Sequence, residues 1–135
     1  MGSFTDTMEN EILDHVLRNE TWTQPAVVYS ALFTVIPSDS TAGTEVTQAS
    51  SGYTRVATTF VTAGATTAGR SQNSGAVNFA TVAAGATITI VGWGLISTAT
   101  YAAGTLIFWA TVTSTALNVG DQATFPVGNI VITLD

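Results

Sequence analysis

Pro25-Ala26-Val27-Val28-Tyr29-Ser30-Ala31-Leu32-Phe33-Thr34-Val35-Ile36-Pro37-Ser38-Asp39 is the stretch on which the fold turns. Residues 27–35 form a mostly apolar run of strand length, and Ile36-Pro37-Ser38-Asp39 closes it with a turn in which Pro and Asp set the backbone. The period stays at two downstream. Residues 53–60 alternate, with Val56 and Phe60 on one face and Arg55 and Thr59 on the other. Further strands are expected at 76–80, 87–96, 105–112, 121–125 and 130–134, separated by Gly, Ser, Ala and Thr tracts such as 63–74. About seven short strands rich in Thr, Val and Ile, with turn signals between them, predict an all-β chain folded as an antiparallel β-sandwich or jelly roll. Repeated βαβ units are excluded because no helical pattern lies between the strands. The expected organisation is an N-terminal helix and linking arm over 1–24 and a β-sandwich or jelly-roll domain over 25–135.

Upstream of Pro25 the pattern is helical. Asp6 and Glu9 have the spacing of a capping box with Asp in the Ser/Thr place, and acids in a first turn suit the positive end of the helix dipole. Met8, Ile12, Leu13, Val16 and Leu17 recur at helical spacing as one stripe, and Asn19 is a left-handed terminator. A helix of about three turns is marginal alone, so this stripe must be covered by the chain's own sheet or by a neighbouring subunit. Ile12, Leu13, Val16, Leu17 and Trp22 are therefore the candidate interaction residues, with Trp22 placed to clamp the helix onto the sheet.

Composition narrows the function classes. Hydrophobic residues make up 46% of the 135-residue chain and charged residues 9%, with neither Lys nor Cys. Disulfides, thiol catalysis and Cys-based zinc sites are excluded. Nine acids against three Arg give a net charge of −6, and Arg18, Arg55 and Arg70 stand singly. No patch can neutralise a row of phosphates, so no nucleic-acid partner is expected. The start lacks the basic leader and apolar core of a signal peptide, and apolar runs such as 88–96 fall short of the ~20 residues that cross a bilayer. A strand surface of Thr hydroxyls lacks the charged edge residues that keep sheets from pairing with other chains. Some edges or faces are therefore expected to be covered by neighbours.

Candidate chemistry is sparse. His15 follows Asp14, but adjacent helical residues point about 100° apart, which favours a surface or interface histidine over a general base. One His and scattered acids supply no metal set. Gly92-Trp93-Gly94 lacks the third glycine and following helix of a dinucleotide fingerprint, so it reads as a bulge or a close backbone approach. Trp22, Trp93 and Trp109 could form a carbohydrate platform, although core or interface is the simpler role. Asp6, Glu9, Glu11, Asp14 and Glu20 cluster in or beside the helix as a solvated face. Asp39, Glu45, Asp121 and Asp135 fall in turns or at the terminus. Glu45 and Arg55 flank the Gly52 turn and are placed to pair across it; an exposed pair of this kind contributes about 0 to 1 kcal/mol. No cofactor, metal or catalytic residue is assigned, and an enzyme is the least favoured class.

The order of segments also carries a resemblance. Asn10-Glu11-Ile12-Leu13-Asp14-His15-Val16-Leu17-Arg18-Asn19 leads into Gln24-Pro25-Ala26-Val27-Val28-Tyr29-Ser30-Ala31-Leu32-Phe33-Thr34. Gly43-Thr44-Glu45-Val46, Gly52-Tyr53-Thr54-Arg55-Val56, Asn73-Ser74-Gly75-Ala76-Val77-Asn78-Phe79 and Ile130-Val131-Ile132-Thr133-Leu134 follow. The chain resembles a family of small virion proteins of tailed bacteriophages, tail-fibre-like and similar in style to capsid decoration or cement proteins. The Thr/Ala-rich middle, 62–68, departs from that pattern. The resemblance implies a non-enzymatic capsid cement or decoration protein on the capsid exterior, made in the host cytoplasm. Its implied partners are the major capsid protein and other copies of itself, as a dimer or trimer. A tail-fibre or baseplate component and a carbohydrate-binding module are the alternatives.

Overall fold

The computed structural model describes residues 2–83 and 87–134. Asp135, placed above at the terminus, lies outside the described residues. Among these described residues, ten strands and two helices follow in chain order: β1 (Gly2–Phe4), α1 (Asp6–Arg18), β2 (Val28–Val35), β3 (Thr44–Glu45), α2 (Gln48–Ser51), β4 (Val56–Thr58), β5 (Arg70–Gln72), β6 (Val77–Asn78), β7 (Ile88–Ile96), β8 (Leu106–Leu117), β9 (Thr124–Phe125) and β10 (Val131–Thr133). Every pairing is antiparallel. The broad sheet runs β1-β8-β7-β2-β3, with β4 also on β2, and two two-stranded ribbons, β10-β5 and β6-β9, form the opposing layer. The chain is thus an all-β antiparallel sandwich with one long helix at its N-terminus. Its second layer is a pair of ribbons rather than a continuous sheet.

The core lies between the layers. Leu32, Ile90, Trp93, Leu95 and Phe108 of the broad sheet meet Val77, Phe79 and Ile130 of the ribbon layer, with Val46 and Tyr53 at one end. Aromatic contacts bridge the gap: Trp93 lies 6.2 Å from Phe125, and Phe79 is 6.0 Å from Tyr53 and 6.3 Å from Phe125. Such pairs add about 0.5–1.5 kcal/mol each beyond the area they bury. Asn73, fully buried, joins the two ribbons. Its amide donates to Gly75 O at 2.7 Å and Pro126 O at 2.9 Å, and its Oδ1 accepts from Ile130 N at 2.9 Å.

Gly92 and Gly94 act as the sequence pattern suggested. The β7–β8 register slips between Ile90↔Thr115 and Gly92↔Thr111. The inward phase of β7 changes there, from Ile88 and Ile90 to Trp93 and Leu95. On the outer face, a Cβ on Gly94 would meet Leu106 Cδ1 at 2.8 Å, Phe108 O at 3.0 Å and Phe33 Cε2 at 3.1 Å. Glycine is required so that Phe33 can lie across β7.

Several elements differ from the sequence expectation. β1 is an unforeseen edge strand, pairing Gly2↔Ala110 and Phe4↔Phe108, with the Phe4 and Phe108 rings edge-on at 5.3 Å. β5 arises inside the tract 63–74, which was expected to separate strands, because β10 supplies its partner through Gln72↔Val131 and Arg70↔Thr133. The strand expected over 53–60 is confined to Val56–Thr58, and that expected over 105–112 extends to Leu117.

Candidate interaction surface

The helix begins one residue earlier than the Asp6 cap would place it. Thr5 is the N-cap, accepting from Met8 N at 3.4 Å through Oγ1, which also donates to Leu106 O at 2.8 Å. One hydroxyl thereby satisfies a free helix N–H and ties α1 to β8. Asp6 N donates to Asp39 O at 3.1 Å, and Trp109 Nε1 donates to Asp39 Oδ1 at 2.9 Å, so the turn after β2 is fastened at the same point. At the other end Asn19 takes φ 56°, ψ 30°, and Glu20 N donates back to Asp14 O at 3.3 Å, a left-handed ending of the Schellman kind.

Met8 is the one helix side chain fully buried. The rest of the stripe turns outward. Ile12 is half-buried, while Leu13, Val16 and Leu17 are 54%, 71% and 74% exposed. Trp22, half-buried, lines a cleft of about 440 Å³ with Met8, Thr105 and Ile107, between the arm after α1 and the sheet. The five candidate interaction residues are therefore gathered on and beside α1, with Leu13, Val16 and Leu17 at three- and four-residue spacing on open surface.

Acidic groups flank this apolar surface. Arg18 bonds Asp14 at 3.2 Å and Glu20 at 3.5 Å; the Arg18 and Glu20 side chains are largely exposed and that of Asp14 is half-buried. Among the described residues no cation pairs with Asp6, Glu9 or Glu11. His15 donates through Nδ1 to Glu20 O at 2.9 Å, which makes it a cap of the helix end and not a partner of Asp14. No cluster of three or more metal-ligating side chains occurs among the described residues.

A second polar constellation is built around the connection between β7 and β8. Arg55 and Glu45 pair as the sequence suggested, but inside the protein: their side chains are 3% and 10% exposed. The pair is bidentate, Nε to Oε1 at 2.8 Å and Nη2 to Oε2 at 2.7 Å. Arg55 Nη1 donates to Thr98 O at 2.9 Å, Thr100 O at 2.7 Å and Ala103 O at 2.8 Å, so one side chain holds the whole β7–β8 connection. Tyr53 completes the group by donating to Glu45 Oε1 at 2.8 Å and accepting from Leu32 N at 3.1 Å. Burial, reinforced by the Glu45 charge, pushes the Tyr53 hydroxyl well above the usual tyrosine range. Hydrogen bonding to Glu45 raises the Arg55 guanidinium above its own. Every charged member is met by protein partners, so the group fixes loops and presents no reactive atom.

The three tryptophans form no common platform. Trp93 is core, and the register Trp93↔Ala110, Gly94↔Trp109 puts Trp109 on the opposite face of the sheet.

A family model described as podophage GP4 fiber I protein gp80 matches residues 3–133. The chain belongs to this fibre protein family. No curated protein matches it. The match spans the helix and both layers of the sandwich, and it identifies a structural protein of a tailed phage, as the resemblance in the sequence implied. Between the readings drawn from that resemblance, a fibre family favours the tail-fibre alternative over shell cement. No helix among the described residues is long and apolar enough to cross a membrane.

Proposed function

We propose that this fibre-family chain is a structural part of the phage particle whose work is adhesion: it is held in the tail-fibre apparatus through the exposed apolar side of α1 and associates with further copies through its sheet edge. The observation that carries this reading is the row Leu13, Val16 and Leu17, left open to solvent on a helix too short to persist by itself. Burying these side chains against a partner contributes roughly 1.5–3 kcal/mol each, enough to seat a small subunit when several copies act together. Ile12 and Trp22 extend the contact toward the sheet.

Self-association is assigned to the outer edge of β8. β1 covers it at 108–110, and residues 112–117, Val-Thr-Ser-Thr-Ala-Leu, carry neither charge nor proline to deter another strand. The cement reading differs in number: a fibre component is present in tens of copies or fewer and a shell protein in hundreds. Quantitative mass spectrometry of purified particles separates them. A low copy number co-fractionating with tails supports the fibre reading; hundreds of copies on tail-less heads would transfer the protein to the shell, and absence from particles would end both readings.

A further inference from the structure

We infer that the exposed face of α1 is built for a different protein of the particle, one presenting an apolar patch edged by lysine or arginine, and not for a second copy of this chain. The inference rests on the virion reading above and adds the chemistry of the partner. Glu9 and Asp6 precede Leu13 by four and seven residues, so they continue the Leu13-Val16-Leu17 face toward the helix N-terminus, about one and two turns (~6 and ~10 Å) away. The face is therefore two-part, apolar at its C-terminal half and doubly acidic at its N-terminal half, and neither acid has a cation partner among the described residues.

A second copy cannot complement that pattern by pairing α1 with α1. The only Arg of the helix, Arg18, is already engaged by Asp14 and Glu20, and His15 is bonded to Glu20 O. Antiparallel pairing over the apolar residues brings Glu9 of one copy toward Glu20 of the other, and parallel pairing brings Glu9 against Glu9. Like charges brought together across a contact oppose it, whereas a cation from another protein meets Asp6 and Glu9 favourably. Arg55 is buried in the Glu45 pair, and Arg70 lies in the ribbon layer with its Nη2 on Gln72 at 3.3 Å. A chain with three Arg and no Lys does not carry the basic rim this face calls for. The match is heterologous.

The test replaces the chain in assembling particles by V16D/L17D, by Glu9→Lys or by Glu9→Gln, and counts copies per particle by quantitative mass spectrometry. In parallel, the purified wild-type and variant chains are taken through thermal unfolding and sedimentation equilibrium. The expected result is a loss of at least 10-fold in copies for V16D/L17D, a several-fold loss for Glu9→Lys and a smaller one for Glu9→Gln. Solution oligomeric state should be unchanged, and melting temperature should fall by no more than a few degrees, the effect of placing these charges at the helix ends. Wild-type copy numbers for V16D/L17D would overturn the inference while leaving the virion reading intact. So would a purified wild-type oligomer that V16D/L17D dissociates, since the occupant would then be a second copy. Wild-type chain absent from particles would remove the virion reading itself, a distinguishable failure.

Discussion

The Glu45–Arg55–Tyr53 group and the α1 face are opposites in almost every respect. In the first, full charges sit inside the protein and each finds a protein partner. In the second, apolar side chains sit outside and the carboxylates of Asp6 and Glu9 beside them find no cation among the described residues. An internal ion pair gains only through geometry, since desolvation opposes it, so its use is to fix which loops meet. An external apolar row gains nothing until another surface covers it. Under the proposed function, the contrast separates what this chain needs in order to fold from what it keeps for assembly: the buried group fixes the loops, and the α1 face is half of a contact.

The most severe way to break the contrast is Arg55→Ala. It strands Glu45 in the interior and frees three carbonyls of the β7–β8 connection, so unfolding free energy should fall by about 3–5 kcal/mol in chemical denaturation. A loss below ~1 kcal/mol would mean the pair behaves as an exposed one.

Tyr53→Phe is the next step down. Leu32 N–H is left buried without its acceptor, at a cost of about 1–3 kcal/mol. This variant also carries a pH signature. Burial holds the Tyr53 hydroxyl protonated in the folded chain while the unfolded chain ionises near pH ~10. The folded state retains a proton that the unfolded state releases, so this contribution is fully present below that pH and is lost as pH rises above it. The gap between wild type and Tyr53→Phe should therefore narrow in denaturation curves taken from pH 9 to 11.

Thr5→Ala removes the helix cap and the bond to Leu106 O, for about 1–2 kcal/mol read as a lower melting temperature. Val16→Asp, at the other extreme, should change stability by less than ~0.5 kcal/mol, because the side chain touches solvent. A large loss from it would mean that α1 is packed by its own chain and would erase the comparison.

The two regions were unequally readable in the sequence. The helix announced itself through its 3.6-residue period and its terminal Asn19, and the apolar row was visible as a stripe. Which side of the stripe met the sheet was not visible, because Met8 and Leu13 are equally apolar and only β8 decides between them. The cap moved to Thr5 for the same kind of reason: its hydroxyl is fixed by Leu106 O, a partner 101 residues away in sequence. Glu45 and Arg55 were legible as a pair because a Gly52 turn separates them. Their burial was not, since it depends on the carbonyls of Thr98, Thr100 and Ala103, which carry no side-chain signature. β1 and β5 escaped notice because three-residue strands have too little period to read, and each exists only through a distant partner.

The most direct measurement is backbone hydrogen exchange of the chain free in solution and in assembled particles. Amides of α1 from Leu13 to Arg18 should exchange markedly more slowly in the particle, while those around Tyr53 and Arg55 keep their free rates. Equal α1 rates in the two states, or protection gained at Tyr53 and Arg55 instead, would contradict the division of the molecule into a finished interior and an adhesive helix.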